Sequence, residues 1–165
     1  MSLSTLEEIA EYIVSNGKGI LAADESNPTC GKRFDSIGVE STETNRRDYR
    51  EMLFRAPGMQ DNIGGVILFD ETIRQSAEDG TPLVELIKNQ GALPGIKVDK
   101  GLAPLDSSSE ETVTQGLDGL DERCKEYVSL GAKFTKWRAV IKISDNIPSD
   151  ECLSLIHISE PTRRS

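Results

Sequence analysis

Two cations lie two residues apart in an apolar stretch near the C-terminal end of the sequence. The stretch AKFTKWRAVIKI (132–143) has the composition of a β-strand, and Lys136 and Arg138 interrupt it. Side chains two apart on a strand point to the same face of the sheet. The segment therefore predicts either a half-exposed strand with a solvated face or a pair of cations that meets an anion inside a barrel.

Two earlier apolar stretches end in charged residues. Asp24 closes the strand predicted in GILAADES, and Lys97 and Asp99 lie two apart in PGIKVDKG. Functional residues of parallel α/β barrels gather at the carboxyl ends of the strands. Burying so many charges is costly unless they pair with each other or with a ligand. A phosphate or sugar phosphate would supply that partner, and the alternative is a salt-bridged interior without catalysis.

A lysine in such a cluster can act as a nucleophile. Nearby cations and the exclusion of water favour its neutral amine, which can attack a carbonyl carbon and form a Schiff base. A neighbouring aspartate can orient hydroxyl groups or move protons. From the spacing alone, Lys136 is the candidate nucleophile, and Asp24 and Asp99 are the aspartates that the predicted strands offer.

Hydroxyl groups and cations follow the first predicted strand in ESNPTCGKR. Ser26, Thr29, Lys32 and Arg33 stand where a loop leads into a helix, a position suited to phosphate binding. The alternative is an ordinary N-cap followed by a solvated helix face. Arg46 lies in the charged helical stretch TNRRDYREMLFRA, where a solvated face is the simpler interpretation.

The elements that must position these residues alternate between strands and helices. Apolar strands are predicted at 19–26, 63–72, 94–101 and 132–143, and the helices between them at 44–56, 81–91 and 116–132. This alternation predicts a parallel sheet with crossover helices, either an open doubly wound sheet or a (β/α)8 TIM barrel. Neither G-x-G-x-x-G nor a P-loop follows the first strand, which weakens the nucleotide-binding alternative. A complete barrel needs about 250 residues, so the barrel interpretation implies truncation to about the first four βα units.

Composition excludes several other classes of protein. The 165 residues carry a net charge of -9, which argues against a nucleic-acid partner. Apolar runs stay short of the roughly 18 residues of a membrane span, so no membrane partner is expected. The acidic, amphipathic N-terminus resembles neither a signal nor a transit peptide. Three widely spaced cysteines fit free thiols in a reducing, cytoplasmic compartment, and predict no zinc site.

The last residues break the pattern of strands and helices. Residues 153–164, in LSLIHISEPTRRS, resemble the translation of a transposase adapter used to prepare sequencing libraries. The expected organisation is therefore residues 1–152 as half of a barrel and residues 153–165 as a non-native tail. The only histidine, His157, lies in this tail, so no histidine chemistry is assigned.

Several long motifs together resemble class I fructose-bisphosphate aldolase. They are GILAADES, GKRFDSIGVESTETNRRDYR, GGVILFDET, PGIKVDKGLAPL, TQGLDGLDERC and AKFTKWRAVIKI, and the resemblance covers residues 5–150. It implies a (β/α)8 barrel of more than twice this length. It further implies an enzyme that cleaves fructose 1,6-bisphosphate to dihydroxyacetone phosphate and glyceraldehyde 3-phosphate through a lysine Schiff base, without metal or other cofactor.

The resemblance assigns roles residue by residue. Asp24 is implied to be the catalytic aspartate and Lys136 to stabilise charge beside the Schiff base. The implied substrate-binding residues are Ser26, Thr29, Arg33, Arg46, Lys97 and Arg138. Thr29 stands where many relatives have serine, and keeps the hydroxyl group.

The resemblance also changes the first hypothesis about the nucleophile. In the family the Schiff-base lysine lies on a later strand than Lys136, as does the principal acid–base glutamate. The chain as written is therefore expected to hold about half of an active site and to lack aldolase activity. Two competing hypotheses are an inactive half-barrel and a Schiff-base aldolase for another sugar phosphate. The resemblance implies a homotetramer for the full-length form, and a cytoplasmic location, with a plastid one if a transit peptide was lost.

Overall fold

Strands and helices alternate along the protein, as the apolar stretches predict. The structure is a computed structural model that describes residues 3, 5–107 and 110–159. The chain divides into two units, Met1–Lys97 with Lys125–Thr135 and Val98–Cys124 with Lys136–Ser165. Among the described residues, no helix has the length and apolar character needed to cross a membrane.

The described strands are short. They are β1 (Gly19–Ala23), β2 (Ile63–Leu68), β3 (Leu93–Lys97), β4 (Leu102–Pro104), β5 (Thr112–Thr114) and β6 (Phe134–Lys136). The described helices are α1 (Leu6–Val14), α2 (Asn27–Asp35), α3 (Glu43–Phe54), α4 (Met59–Asn62), α5 (Asp70–Ile73), α6 (Leu83–Asn89), α7 (Leu120–Ser129) and α8 (Asp150–Ser159). The main sheet has the strand order β1-β2-β3-β6, and β2 runs parallel to both β1 and β3.

One face of the main sheet forms the core of the first unit. The register places Ala23 beside Leu68 and Leu68 beside Ile96, and all three side chains are fully buried. Helix α6 packs against β3 and brings Leu83 and Ile87 into the same core. Burying each large aliphatic side chain contributes about 1.5–3 kcal/mol, so this layer holds the strand ends in place.

The opposite face of the sheet is covered unevenly. The ring of Phe134 lies so close to Gly95 that a Cβ atom there would be 2.3 Å from it. On β1, in contrast, Ala22 is exposed and Ile20 is 48% exposed. Alternate residues of a strand face opposite sides, so this exposure belongs to the face that would line a closed barrel.

Helix α1 is fixed at both its start and its end. Thr5 and Glu8 form a capping box, in which each side chain accepts a hydrogen bond from the other residue's backbone N–H. The Tyr12 hydroxyl donates to the Gly91 carbonyl at 2.8 Å. The helix contacts β2 where Gly64 allows close approach, since a Cβ atom at Gly64 would lie 2.0 Å from the Ile13 carbonyl oxygen.

The second unit contains an antiparallel pair, β4 and β5, in which Ala103 faces Val113. Helix α8 packs against β5. The sequence patterns did not predict this pair, because strands of three residues are too short to show a period.

The predicted strand at 132–143 is too long. Regular pairing ends with β6 at Lys136, and the residues from Trp137 to Ile143 adopt no strand, although their composition favours one. The Arg138 carbonyl accepts a hydrogen bond from the Thr114 hydroxyl at 2.8 Å. Strand propensity describes a side chain's fit to a pleated, half-buried surface, and Ile143 is 82% exposed.

Candidate active site

Asp24 directly follows β1, in the loop that leads into α2. Its neighbour Ala23 is fully buried and anchors the end of the strand, whereas Asp24 is half-buried. The loop to Asn27, the first residue of α2, consists of Asp24, Glu25 and Ser26. This loop therefore carries the candidate aspartate and the candidate phosphate-binding serine side by side.

Ser26 is the N-cap residue of α2 in an extended conformation, but its side chain makes no capping hydrogen bond. Its hydroxyl instead lies 3.1 Å from the Thr29 hydroxyl. The backbone N–H groups of Thr29 and Cys30 both donate to the Ser26 carbonyl at 2.9 Å. Two adjacent hydroxyl groups at a helix N-terminus are suited to a phosphate group.

The Glu25 carboxylate contacts three side chains, and the sequence analysis predicted none of these contacts. Oε1 accepts hydrogen bonds from Arg33 and from the Tyr49 hydroxyl, and Oε2 lies 2.9 Å from Nη2 of the buried Arg50. The negative charge of Glu25 is the main cause that raises the pKa of the Arg33 guanidinium. Arg33 is thus held as a cation beside the Asp24–Ser26 loop, although its own side chain is 55% exposed.

Arg46 forms a bidentate ion pair. Its Nε and Nη2 atoms donate to the two Glu71 oxygens at 2.7 and 2.6 Å, and its Nη1 donates to the Ser41 carbonyl at 2.7 Å. The Asn27 amide donates to Glu71 at 3.3 Å, which connects this pair to the start of α2. Hydrogen bonds from Arg46 lower the pKa of Glu71, and the same bonds raise the pKa of Arg46.

The remaining candidate of the first unit, Lys97, is the last residue of β3. Its side chain is half-buried. The preceding residues Pro94 and Ile96 are fully buried, which fixes the strand that carries it.

In the second unit, a backbone hydrogen bond joins Val98, the neighbour of Asp99, to Lys136. The Val98 N–H donates to the Lys136 carbonyl at 3.1 Å. The Arg123 guanidinium donates to the carbonyls of Val98 and Gly116 and so holds the start of the segment that follows β3. Asp99 is 6% exposed and Lys136 is half-buried, whereas Arg138 is exposed.

The structure therefore sorts the candidate residues into local groups. Asp24, Ser26, Thr29 and Arg33 share the loop between β1 and α2, and Arg46 reaches that loop through Glu71 and Asn27. The contacts made by Glu25, Arg50, Glu71 and Arg123 could not be predicted, because their partners are distant in sequence. For Glu25 alone the sequence offered a signal, because this charged residue lies near the end of the first predicted strand.

The cysteines and acidic residues do not form a metal site in the described part of the chain, where no three potential metal-binding side chains cluster. Cys30 and Cys152 are buried and Cys124 is partly buried. Burial raises the pKa of the Cys124 and Cys152 thiols, so both are neutral near pH 7.

Comparisons with known proteins extend these observations. The family model for fructose-bisphosphate aldolase class-I matches residues 5–158. A probable fructose-bisphosphate aldolase class 1 of Xanthomonas campestris is 54% identical over 153 residues, covering 93% of this chain and 46% of the relative. A fructose-bisphosphate aldolase of Drosophila melanogaster is 58% identical over 145 residues, covering 87% of this chain and 40% of the relative.

A solved structure shows the same fold. The Plasmodium falciparum fructose-bisphosphate aldolase, in complex with TRAP and a small-molecule inhibitor, aligns with a TM-score of 0.86 and 50% identity. The alignment covers 89% of this chain and 43% of that chain. The parallel α/β sheet and this similarity define a fragment of the TIM-barrel type.

The chain belongs to the class I fructose-bisphosphate aldolase family, because the family model matches nearly all of it. It spans less than half the length of the curated relatives that it matches. The family match extends through residue 158, and α8 spans the predicted boundary at residue 152 between the half-barrel and the tail. Residues 160–165 of that tail lie outside the described residues, and the adapter hypothesis stays a prediction.

Proposed function

We propose that this chain supplies the N-terminal part of a class I fructose-bisphosphate aldolase, the first four βα units of a (β/α)8 barrel. The whole enzyme would cleave fructose 1,6-bisphosphate reversibly to dihydroxyacetone phosphate and glyceraldehyde 3-phosphate. The observation that carries the proposal is the 54–59% identity to relatives that bear this name, over 85–93% of the chain. The motifs IKVDKG and KWR lie within the matched segment.

The proposed roles of the catalytic residues follow from their chemistry. Asp24, at the end of β1, orients the reacting hydroxyl groups of the sugar and moves their protons. Lys136 stabilises negative charge beside a Schiff base that a lysine outside this chain forms with the substrate carbonyl. Two positively charged amines close together favour the neutral form of one of them, which is the form that attacks a carbonyl.

Five of the proposed substrate-binding residues hold phosphate and hydroxyl groups directly, and Arg46 acts through its neighbours. The whole set is Ser26, Thr29, Arg33, Arg46, Lys97 and Arg138. The paired hydroxyls of Ser26 and Thr29 at the start of α2 support a phosphate contact. Arg33 is cationic and exposed, so it can reach a substrate. Arg46 is held by Glu71, so we assign it an indirect part through Asn27 and the start of α2.

The remaining proposals concern the whole enzyme. The partner is a small sugar phosphate, and we propose no nucleic-acid or membrane partner, no metal and no other cofactor. The full-length form would be a homotetramer, as the family resemblance implies. One relative, 59% identical over 140 residues, is named the cytosolic fructose-bisphosphate aldolase 6 of Arabidopsis thaliana, which supports a cytoplasmic location.

A fusion protein tests the proposal. Residues 1–152 of this chain are joined to the part of the Drosophila aldolase that follows its matched segment, and cleavage of fructose 1,6-bisphosphate is measured. We expect activity from the fusion protein, and none from the fusion with Asp24→Asn or from the 165-residue chain alone. A folded fusion protein without activity would contradict the proposal. Activity on fructose 1-phosphate, measured in parallel, tests the alternative that another sugar phosphate is the substrate.

A further inference from the structure

The guanidinium group of Arg50 is buried beside the loop that carries Asp24 and Ser26. Arg50 lies on α3 and its side chain is 2% exposed. Its Nη2 atom donates to the Glu25 backbone carbonyl at 3.0 Å and lies 2.9 Å from the Glu25 carboxylate. The same atom is 3.5 Å from the Cys30 sulfur. A single nitrogen atom from another helix therefore contacts the residues on both sides of the Ser26–Thr29 turn.

This burial is expensive for a residue with a purely structural role. Among the described residues, Nε and Nη1 of Arg50 have no hydrogen-bond partner. The Tyr49 ring, 5.0 Å from the guanidinium carbon, gives partial compensation through a cation–π interaction. Apolar side chains often replace both members of a buried ion pair without loss of stability. Packing alone thus gives no reason for an arginine at this position.

The contacts of Glu25 indicate what the arginine achieves. Glu25 stands between Asp24 and Ser26, and its other oxygen binds the exposed Arg33 and the Tyr49 hydroxyl. Arg33 is largely in water, where ion pairs are weak. Arg50 is the buried partner of Glu25 and is the only one of the three that also holds its backbone carbonyl. Of these three partners of Glu25, Arg50 is therefore the one that attaches the loop from within the core.

We propose that Arg50 is a positioning residue that fixes the loop between β1 and α2 through Glu25, and so sets the places of Asp24, Ser26 and Thr29. The proposal rests on the proposed function for the roles of those three residues. Arg50 itself is too deeply buried to touch a substrate, and it acts through the loop. Neither the sequence motifs nor the family match assigns this role.

Hydrogen exchange in the 165-residue chain tests the positioning directly. The Thr29 and Cys30 amides donate to the Ser26 carbonyl and report on the turn. Arg50→Met is expected to speed their exchange at least tenfold and to leave the amide of the fully buried Val66 in β2 unchanged. Arg47→Met is the matched control, because Arg47 lies on the same helix and forms its ion pair with the adjacent Asp48; it should match the unsubstituted chain. Unchanged exchange at Thr29 and Cys30, or an equal rise at Val66, would overturn the proposal.

Kinetics in the fusion protein supply a second readout. Displacing Ser26 and Thr29 weakens substrate binding and displacing Asp24 slows turnover, so Arg50→Met is expected to raise KM about tenfold and to lower kcat as well. A partly unfolded enzyme would instead show a lower kcat with KM unchanged, and that result would reject a positioning role. Arg50→Lys should restore KM to within about threefold of the parent, because one nitrogen atom makes every polar contact of Arg50 within the described part of the chain. Failure of the parent fusion would contradict the proposed function, while the exchange data still decide the role of Arg50.

Discussion

At the scale of single residues, replacing either of the two lysines to which the family resemblance assigns a role is expected to change a different kinetic constant. Lys136 and Lys97 are both half-buried, and both stand at the end of a strand. A residue that stabilises charge present only in the transition state affects kcat. A residue that binds a charge already present on the substrate affects affinity. The two lysines therefore separate catalysis from binding.

We expect Lys136→Ala in the fusion protein to lower kcat at least about 100-fold with a small change in KM, since removing one electrostatic stabiliser has an effect of that order. Lys97→Ala should instead raise KM about tenfold or more, because a charge-assisted hydrogen bond contributes about 1.5–3 kcal/mol. Steady-state kinetics give both constants. Lys133→Ala is the control, because Lys133 is exposed just before β6. Near-normal turnover without Lys136, or an unchanged KM without Lys97, would refute the role concerned.

The Arg46–Glu71 pair predicts a pH dependence of stability. Arg46 lowers the folded-state pKa of Glu71 below its ordinary 4.5. The pair therefore stabilises the fold above pH 4.5, and this stability is lost as the pH falls through the lowered value. Glu71→Gln should cost about 2 kcal/mol of unfolding free energy near pH 7, and the difference from the parent should vanish in strong acid.

Urea unfolding at several pH values measures this difference. Glu126→Gln is the matched control, because a hydrogen bond from Arg74 also lowers the pKa of Glu126, but its side chain is 48% exposed. Solvent screens such a pair, so the control should lose much less stability than Glu71→Gln. An equal loss for the two variants, or a Glu71→Gln effect that persists in acid, would count against the ion pair as the cause.

At the scale of secondary-structure elements, the contact between α1 and β2 depends on the absence of one side chain. A Cβ atom at Gly64 would lie 2.0 Å from the Ile13 carbonyl oxygen and 2.7 Å from its carbonyl carbon. These are backbone atoms of a helix, so they cannot move aside as a flexible side chain does.

Gly64→Ala is therefore expected to lower the free energy of unfolding by about 2–3 kcal/mol, the upper part of the usual range for overpacking. Gly19→Ala is the control, because nothing lies within 4 Å of a Cβ atom at that position in β1. Thermal and urea unfolding of both variants give the comparison. A loss no greater for Gly64 than for Gly19 would mean that α1 moves away from β2 without cost.

The elements also separate what the sequence could predict from what it could not. Apolar runs placed β1, β2, β3 and the start of β6, because buried parallel strands are nearly continuous in apolar residues. The same rule extended β6 too far, since composition does not say whether a neighbouring strand is present at Trp137 and beyond.

The candidate site divides in the same way. Asp24, Lys97 and Lys136 were selected as charges in or at the end of apolar stretches, and the structure places each of them at or directly after the end of a strand. Their roles stay predictions. The ion pairs of Glu25 with Arg50 and of Arg46 with Glu71 join residues 25 apart in sequence, and no local period records such contacts. Pairing of this kind depends on how α3 packs in three dimensions, so its prediction requires the fold.

At the scale of the whole molecule, β1 leaves one edge of the sheet open. In the described residues, β1 pairs with β2 on one side, and Ile20 is 48% exposed. An exposed edge with apolar side chains is a template for pairing with another chain. The net charge of -9 at pH 7 opposes such association, because molecules of like charge repel each other.

The two effects predict how the isolated chain behaves with pH. The chain should remain dispersed near pH 7 and associate as the pH approaches its isoelectric point of about 4.7, where the repulsion disappears. Ile20→Glu should reduce the association, because it places a charge at the open edge. Ile37→Glu is the control, since Ile37 is 71% exposed but lies outside the strands. Sedimentation velocity between the two pH values distinguishes the variants: equal association of both would show that general charge, and not the β1 edge, governs contact between molecules.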